Sequence, residues 1–391
     1  MIGRKQIVIL GCLLMIGLAG LCGCGSPSSD SMERVGTEAD HAADVPGGLT
    51  YESSMELQYA KNFSVDDYEG GYKILKTMDG TQILVVPEEK EVPDGIGKDV
   101  VVVKRPVKNL YVVSSSIMDI FSKLDAMDTI RLSGQKEEDW YVQDAKDAME
   151  RGDILYAGKY SKPDYELIVS ENCSLAIENT MITHSPEVSE MLADFDIPTM
   201  IEYSSYESHP LGRVEWVKFF GALIGKDELA QKIFNEEVRL VDEVTSVEKT
   251  DKTVAFFYVT SNGLIQVRSS SDYVPKMINL AGGNYIPTNI GDPDSKRSTV
   301  SMQIEDFYDQ AKDADFIIYN SSIDGGIGSV QELLDKCAVL KDFKAVREGN
   351  VWCTTNDMYQ QSMSIGYLIH DMHAMLQGKD QDEMTYLFHV E

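Results

Sequence analysis

Cysteine is scarce in this sequence, and its cysteines do not form a metal-binding pattern. The chain of 391 residues contains 6 cysteines, three of them within the first 24 residues. The other three, Cys173, Cys337 and Cys353, cannot all be joined in intramolecular disulfides because their number is odd. Cys337 and Cys353 could pair, but three small buried hydrophobic residues are the favoured interpretation. No CxxC or CxxxC spacing occurs, which argues against cysteine-ligated metal sites.

Positive charge is also in short supply. Lys and Arg number 35 against 64 Asp and Glu, which gives a formal net charge of −29. This balance excludes nucleic-acid binding, which needs a basic surface, and favours a soluble protein with an exposed location. The apolar share of 43% and the charged share of 25% are those of a globular protein, and the length predicts two domains.

Motifs for catalysis and for capture of a bare metal ion are missing. The sequence contains neither a P-loop nor a G-x-S-x-G element, so we do not expect an enzyme. A zinc or manganese site needs about three histidines with a carboxylate. His370 and His373 have helical spacing, but no third ligand is near them in the sequence, and direct metal-ion binding stays only an alternative. The histidines after residue 50 are His184, His209, His370, His373 and His389.

The first 23 residues have the pattern of a secretory signal peptide. Two basic residues precede an apolar run over residues 7–21, which is too short to span a bilayer. The run ends in Leu-Cys-Gly-Cys, a lipoprotein cleavage box with Cys24 as the lipidated residue. Cys22 is the competing choice, and an uncleaved membrane anchor is a further alternative. Residues 24–50 are rich in Ser, Gly, Asp and Ala, which predicts a flexible tether on the extracytoplasmic face of the cell membrane.

Strand and helix patterns alternate through most of the remaining chain. Residues 61–87 predict a β-hairpin around the turn Asp79-Gly80. Strands and helices then alternate between residues 109 and 202, and the scheme resumes at the apolar strand Thr253–Val259. Such alternation implies mainly parallel sheets with helices on both faces. We therefore predict an α/β fold with two Rossmann-like lobes, over residues 51–205 and 249–391.

One long helix is predicted to join the lobes within residues 206–248. Pro210 suits the first turn of a helix. Apolar residues recur at helical spacing from residue 211 to residue 246, with an interruption at Gly225. A continuous helix of that length would be about 50 Å long, so it could form a rigid spine between two lobes.

Three segments resemble the class III, helical-backbone substrate-binding lipoproteins of ABC transporters that import ferric siderophores, haem or cobalamin. They are His209-Pro-Leu-Gly-Arg-Val-Glu-Trp216 at the start of the linking helix, Leu280-Ala-Gly-Gly-Asn284, and Ala345-Val-Arg-Glu-Gly-Asn-Val-Trp352. Each is weak alone, but their order behind a lipoprotein box is specific, and the resemblance covers residues 105–378. It implies two lobes around a largely preformed cleft that closes only modestly.

The cleft residues follow from topology and from this resemblance, since ligands in open α/β sheets bind beyond the carboxyl ends of strands. Arg213 begins the linking helix, and its guanidinium suits an anionic ligand; a salt bridge to Glu215 or Glu207 is the structural alternative. His209 could stack on or ligate a macrocycle, or could form a hydrogen bond at the helix start. The predicted ligand contacts are Tyr160, Glu178, Tyr206, His209, Arg213, Arg268, Tyr273 and Tyr359.

Two glutamates occupy matching places in the two lobes. Glu166 and Glu305 each lie in a helix that precedes a strand. In the family that the chain resembles, such glutamates pair with arginines of the permease, and a carboxylate facing a guanidinium gains bidentate geometry. The alternative is a helix N-terminal acid that the helix dipole favours.

These features together predict an extracytoplasmic substrate-binding lipoprotein that works as a monomer. It would capture an iron chelate, a ferric siderophore, between its lobes and deliver it to an ABC permease and its ATPase. Cobalamin or haem is the alternative ligand. The resemblance implies no cofactor of the protein's own, because the metal would arrive inside the ligand.

Overall fold

The structure is a computed structural model that describes residues 46–292, 295, 297–379, 382 and 384–391. These residues belong to one compact unit, Asp44–Glu391. The predicted signal peptide, Cys24 and most of the predicted tether lie outside the described residues. Within the described ranges, no helix combines the length and the apolar character needed to cross a membrane.

A five-stranded sheet precedes the first lobe. Its strands are β1 (Tyr51–Ser54), β2 (Phe63–Tyr68), β3 (Tyr72–Thr77), β4 (Gln82–Val86) and β5 (Val100–Lys104). Strands β1 to β4 are antiparallel neighbours, and β5 joins β4 in parallel. The hairpin predicted around Asp79-Gly80 is confirmed as β3 and β4, and Gly80 has a φ of 89°, in the region that favours glycine. The predicted extent of the tether is wrong at its end, because Leu49 already packs on the cluster around Ile74.

Lobe 1 contains a parallel sheet in the order β12-β11-β6-β7-β8, as predicted. Its strands are β6 (Leu110–Val112), β7 (Ile130–Ser133), β8 (Leu155–Tyr156), β11 (Leu175–Glu178) and β12 (Thr199–Ile201), with a small separate pair β9 (Gly158–Lys159) and β10 (Lys162–Pro163). Its helices are α1 (Ser115–Lys123), α2 (Gln143–Glu150), α3 (Tyr165–Ser170) and α4 (Pro186–Asp194). Helix α3 begins after Asp164, whose side chain caps it by accepting from the N–H of Leu167.

Lobe 2 contains a mixed sheet in the order β16-β14-β13-β17-β18-β19, with β15 also paired to β13. Its strands are β13 (Thr253–Val259), β14 (Ile265–Arg268), β15 (Asn284–Ile286), β16 (Thr299–Met302), β17 (Phe316–Tyr319), β18 (Val351–Thr354) and β19 (Leu387–His389). Its helices are α7 (Tyr273–Leu280), α8 (Ile304–Ala311), α9 (Val330–Lys336), α10 (Lys344–Glu348) and α11 (Ile365–Leu376). The central strands β13, β17 and β18 are parallel, and β14, β16 and β19 are antiparallel additions.

The segment between the lobes consists of two helices, α5 (Pro210–Ile224) and α6 (Asp227–Thr245). Gly225 ends α5 with a φ of 84°, and the chain then folds back, so that Nζ of Lys218 lies 4.1 Å from the centre of the Phe234 ring. These two residues would be about 24 Å apart in one continuous helix. The prediction of a single long helix is therefore wrong. Gly221 permits the close packing, since a Cβ there would lie 2.5 Å from the Cβ of Ala230.

One hydrophobic cluster extends through the N-terminal sheet, lobe 1, the helix pair and lobe 2. Helix α5 is buried on nearly all of its faces, as expected of a helix that is apolar around its circumference. Phe63 of β2 packs edge-on against Trp216 of α5, with ring centres 4.9 Å apart. The lobes thus share a continuous core. The three described cysteines, Cys173, Cys337 and Cys353, are free thiols.

The segment before α11 leaves lobe 2 and contacts lobe 1. Helix α11 begins at Ile365, and residues 357–366, which end with the first two residues of α11, form what we call the crossing segment. The side-chain amide of Gln360 accepts from the N–H of Tyr141 and donates to the carbonyl of Asp139, each at 2.8 Å. The hydroxyl of Ser362 donates to the carbonyl of Ser116 at 2.5 Å. These hydrogen bonds attach the segment, which contains the short 3-10 helix Ser362–Ser364, to lobe 1.

Candidate functional site

A cavity of about 1160 Å³ lies between the two lobes, and we call it the interlobe cavity. Lobe 1 contributes the turn after β11, with Met181 and His184, and lobe 2 contributes β14, β16 and the loop before β16, with Arg297. Tyr206 lines the cavity from the segment that leads into α5. Most of the other lining residues carry hydroxyl or amide groups. A volume of this size is at or above the range of pockets that hold drug-sized ligands.

Buried polar atoms without a hydrogen-bond partner concentrate at the carboxyl ends of the parallel strands. Among the described residues they are both carboxyl oxygens of Glu178 and side-chain oxygens of Ser204, Ser322, Thr355 and Asp357. Glu178 ends β11, and the others follow β12, β17 and β18 within three residues. Each buried polar group left unpaired costs about 1–3 kcal/mol. The strand ends of both lobes therefore carry unused hydrogen-bonding capacity in the region where ligands of open α/β sheets bind.

Three predicted contacts, Arg213, Arg268 and Tyr273, come together at the start of α7. The guanidinium carbon of Arg213 lies 4.1 Å from the centre of the Tyr273 ring, and that of Arg268 lies 5.7 Å from it. Tyr273 is buried, and burial is the main cause that raises the pKa of its hydroxyl above the usual range. A tyrosine that stays neutral beside two cations provides a fixed aromatic platform.

The charge of Arg268 is already neutralised inside the protein. Its Nε and Nη2 donate to the two carboxylate oxygens of Asp272 at 2.8 and 2.7 Å, a bidentate pair. Its Nη1 donates to the hydroxyl of Tyr359 at 3.3 Å, and Asn320 donates to the same hydroxyl at 2.9 Å. Arg268 is 8% exposed, so its predicted contact with a ligand would have to pass through Tyr359, which it holds in place.

Within the described ranges no carboxylate forms a salt bridge with Arg213, although its charge opposes the burial that raises the pKa of the Glu207 carboxyl. The structural alternative was a salt bridge to Glu215 or Glu207, and the structure gives both carboxylates other contacts. Glu215 accepts from the N–H groups of residues 58–60 and pairs with Lys218 at 2.8 Å. Glu207 accepts from the N–H groups of residues 61 and 62 and from the indole of Trp216. Among the described residues, no ion pair includes Arg213. Its guanidinium lines a narrow pocket beside Tyr273 and Tyr359 whose volume of about 10 Å³ has room for about one water molecule.

Tyr206 and His209 face different cavities although they are three residues apart. Tyr206 lines the interlobe cavity. His209 is the N-cap of α5, where Nδ1 accepts from the N–H of Leu211 at 3.2 Å, and its ring stacks on Tyr59 with centres 4.5 Å apart. Burial, followed by the nearby Lys276, lowers the pKa of His209 to about 4. The structure therefore supports the helix-start hydrogen bond for His209, and this residue lines a separate pocket of about 410 Å³.

Glu178 and Tyr160 lie in the outer layer of lobe 1. Glu178 is fully buried and shares a face of the sheet with Tyr111, and burial raises the pKa of its carboxyl to about 8. At neutral pH the side chain is therefore mostly protonated. Tyr160 lies between β9 and β10 and packs against the same hydrophobic cluster. These two residues are not brought together with Arg213.

The predicted docking glutamates are both exposed on the surface. Glu166 lies in the first turn of α3 and Glu305 in the first turn of α8. The helices precede β11 and β17, the matching parallel strands of the two lobes. Val169 and Phe195, each 45% exposed, flank Glu166 on α3 and after α4. Their role in docking stays a prediction.

Several residues that line the interlobe cavity were not predicted. Met181 and His184 come directly after the predicted contact Glu178, so an extension of the strand-end rule by one turn would have found them. Gln266 and Arg297 gave no such signal, because they lie on an antiparallel strand and in the loop before β16. Gln266 and Arg268 share one face of β14, so the Arg268 cluster adjoins the cavity.

Metal-ligating side chains do not converge in the part of the chain that the structure describes. No group of three or more His, Cys, Asp or Glu residues there could hold a metal ion. Nδ1 of His373 lies 2.9 Å from the carbonyl oxygen of Ala281, so this histidine has a structural hydrogen bond. The alternative of direct metal-ion binding finds no support among these residues.

The relatives of this chain are proteins without a characterised function. No protein-family model matches the chain. An uncharacterized lipoprotein of Methanocaldococcus jannaschii is 22% identical over 91% of this chain and 89% of its own length. A second uncharacterized lipoprotein of that organism is 23% identical over 99% of this chain and its full length.

Solved structures with the same fold are solute-binding proteins. An ABC-transporter substrate-binding protein from Listeria monocytogenes matches with a TM-score of 0.53 and 17% identity, covering 69% of this chain and 98% of its own. The periplasmic haem-binding protein HutB of Vibrio cholerae matches with 0.55 and 14%, covering 67% and 97%. The molybdate-bound protein MolA of Haemophilus influenzae matches with 0.53 and 11%, covering 70% and 86%. The chain therefore has the two-lobed α/β fold of these proteins, as its sequence predicted.

Proposed function

We propose that this protein is the substrate-binding lipoprotein of an ABC importer and holds a metal chelate in the interlobe cavity. The observation that carries the proposal is a cavity of about 1160 Å³ that both lobes line, mostly with hydroxyl and amide groups. A polar ligand of several hundred daltons would fill this volume and form hydrogen bonds with that lining. The shared fold supports the same role, since the structural neighbours are solute-binding proteins.

The ligand is proposed to carry its own metal. Among the described residues no cluster of side chains could hold a bare ion. The interlobe cavity nevertheless offers an imidazole, a thioether and a phenol at His184, Met181 and Tyr206. Single donors of these types suit a metal whose other positions are already occupied by a chelator. A ferric siderophore is the ligand that the sequence favours.

Haem or cobalamin is the second candidate, and the same three side chains favour it. A planar macrocycle leaves axial metal positions open, and His, Met and Tyr all serve as axial ligands of haem iron in proteins. The neighbours differ in what they bind, with haem for HutB and molybdate for MolA, so the fold alone does not choose between the candidates. His184 and Met181 are both exposed and hence accessible to such a ligand.

A lipid anchor at Cys24 would hold the protein at the extracytoplasmic face of the cell membrane. The lipoprotein names of the two archaeal relatives support this location. Cys24→Ala should release the protein from membranes or leave the precursor unprocessed, as measured by fractionation and intact mass. Unchanged processing and membrane association of this variant would contradict the anchor, while a Cys22→Ala control should behave as the native protein.

The experiment that tests the binding role is a titration with three probes, namely haem, cobalamin and a ferric catecholate siderophore. Binding is measured by absorbance and by native mass spectrometry, with metal content from elemental analysis. We expect one of the three probes to bind with a stoichiometry of one. If that probe is haem or cobalamin, the double variant His184→Ala with Met181→Ala should bind it at least ten-fold more weakly. A siderophore that occupies all coordination positions of its iron should bind the double variant as tightly as it binds the native protein. Binding of none of the probes, with a bare metal ion bound instead, would contradict the proposal.

A further inference from the structure

The crossing segment is attached to its neighbours through two buried carboxyl groups. The N–H of Met363 donates to Oδ2 of Asp119 on α1 at 2.7 Å, and the N–H of Gly366 donates to Oε2 of Glu237 on α6 at 2.8 Å. Asp119 is 2% exposed and Glu237 is 4% exposed. Lobe 1, the helix pair and lobe 2 thus meet at two acids, and neither acid takes part in the proposed ligand site.

The surroundings of these two acids are mostly negative. Asp119 faces Lys123 on its own helix, Asp357 in the crossing segment and Asp144 on α2. Glu237 faces Asp119, Lys123 and Glu236, and the hydroxyl of Tyr386 lies near both acids. Neither acid forms an ion pair among the described residues. A buried carboxylate without a paired cation, beside like charges, is costly, and such a group takes up a proton instead.

The backbone of the crossing segment also packs closely against α6 at Gly366. A Cβ added at Gly366 would lie 2.8 Å from Oε2 of Glu237 and 3.2 Å from Cβ of Leu240. The backbone therefore rests directly against the carboxyl group, with no room for a side chain between them. Burial under the segment raises the pKa of Asp119 to about 6 and that of Glu237 to about 7, and it outweighs the N–H groups of Met363 and Gly366, which act in the opposite direction.

We propose that seating of the crossing segment is linked to proton binding at Asp119 and Glu237. When the segment lifts away, both carboxyls meet water and ionise in their ordinary range, whereas the seated segment keeps them protonated to higher pH. The seated state therefore binds more protons between about pH 5 and pH 8, and raising the pH through this window favours the unseated state. Tyr359 lies in this segment and is held by Asn320 and Arg268, so the position of a predicted ligand contact becomes sensitive to pH.

The test is hydrogen exchange of the backbone amides of Met363 and Gly366 in the intact protein at pH 5, 6, 7 and 8. Rates are corrected for the intrinsic increase of exchange with pH. We expect the opening equilibrium of these two amides to increase by about ten-fold or more from pH 5 to pH 8. Amides of β4 in the N-terminal sheet, a strand without titratable side chains, provide the internal reference. A constant opening equilibrium across this range would overturn the proposal.

Neutral variants identify the groups that bind the protons. Asp119→Asn and Glu237→Gln keep an acceptor oxygen for each N–H but cannot ionise. In the double variant the corrected opening should be independent of pH and smaller than that of the native protein at pH 5, where the unseated carboxyls are already mostly ionised. Asp309→Asn, an exposed carboxyl of α8, is the matched control and should retain the native pH dependence. If the double variant kept the full pH dependence of the native protein, the assignment of the bound protons to these two carboxyls would be overturned. If the double variant does not fold, the single variant Glu237→Gln should still lose the larger part of the dependence above pH 6.

Discussion

The guanidinium of Arg213 lies 4.1 Å from the centre of the Tyr273 ring, at the place where the helix pair meets lobe 2. Arg268 approaches the same ring, but the carboxylate of Asp272 neutralises it. Two cations therefore share one aromatic platform, and only Arg268 has a carboxylate partner within the described ranges. In a chain with a net charge of −29, Arg213 is the cation of this cluster that would meet a negatively charged ligand if the narrow pocket beside it widens on binding.

Replacement of Arg213 tests this assignment. Loss of a charge-assisted hydrogen bond costs about 1.5–3 kcal/mol, so Arg213→Ala should weaken binding of an anionic chelate by about ten- to a hundred-fold. The melting temperature should change little, because no ion pair is lost. Arg239→Ala, an exposed arginine of α6, is the control and should leave the affinity unchanged. A large fall in melting temperature with unchanged affinity would give Arg213 a structural role.

Asp272 is predicted to hold Arg268 in place. Asp272→Asn keeps the N-cap of α7 but leaves the buried guanidinium of Arg268 without its counter-charge. Removal of one partner of a buried pair costs about 3–5 kcal/mol, so the free energy of unfolding, measured by denaturant titration, should fall by about that amount. Asp164→Asn is the control for the cap, since the Asp164 side chain also caps a helix, α3, and forms no ion pair among the described residues. Equal effects of the two substitutions would mean that the pair with Arg268 contributes nothing.

Glu178 is predicted to make stability depend on pH. Burial raises the pKa of its carboxyl to about 8, whereas the unfolded chain ionises in the ordinary range of glutamate. The folded state therefore holds an extra proton, and the free energy of unfolding decreases as the pH rises toward about 8. The change between pH 5 and pH 8 has an upper value of about 4 kcal/mol, at about 1.4 kcal/mol for each unit.

The comparison of Glu178→Gln with the native protein isolates this contribution. The variant cannot ionise, so its stability should fall less between pH 5 and pH 8 in thermal or denaturant unfolding. Glu187→Gln changes an exposed glutamate of α4 and should keep the native dependence. If Glu178→Gln and the native protein showed the same dependence, the Glu178 carboxyl would have to be ionised and paired in the folded state.

The two surface glutamates are predicted to act on transport alone. Glu166→Ala and Glu305→Ala should each lower uptake in cells while the ligand affinity of the purified protein stays unchanged. Both side chains are exposed on matching helices of the two lobes, so neither substitution should disturb the core. Glu348→Ala, an exposed residue of α10, serves as the control for uptake. A loss of ligand affinity in either variant would contradict the docking role.

Much of the secondary structure could be predicted from the sequence, because the spacing of apolar residues follows the side of each helix or strand that is buried. The strand Thr253–Val259 has the predicted bounds. The reversal of the chain between α5 and α6 could not be predicted in the same way. Both helices carry apolar residues at helical spacing, and periodicity cannot tell a bend at Gly225 from a reversal that lets Lys218 reach Phe234.

The residues of the candidate site could be predicted only in part, because the fold brings them together from distant parts of the sequence. Of the predicted contacts, Tyr206 lines the interlobe cavity, whereas Arg213 and Tyr359 line the separate narrow pocket. The strand-end rule could not find Arg297, which reaches the interlobe cavity from the loop before an antiparallel edge strand. It also could not show that Asp272, four residues after Arg268, would neutralise that arginine.

The most direct test of a ligand bound between the lobes is a hydrogen-exchange footprint of the bound probe. The probe that binds in titration is added to saturation, and exchange is compared with that of the free protein. We predict protection from exchange on both sides of the interlobe cavity, in Thr180–His184 of lobe 1 and in Thr299–Ser301 of lobe 2. Exchange at the separate pocket around His209 should change only weakly. Protection confined to one lobe, or centred on Tyr59 and His209, would contradict capture between the lobes.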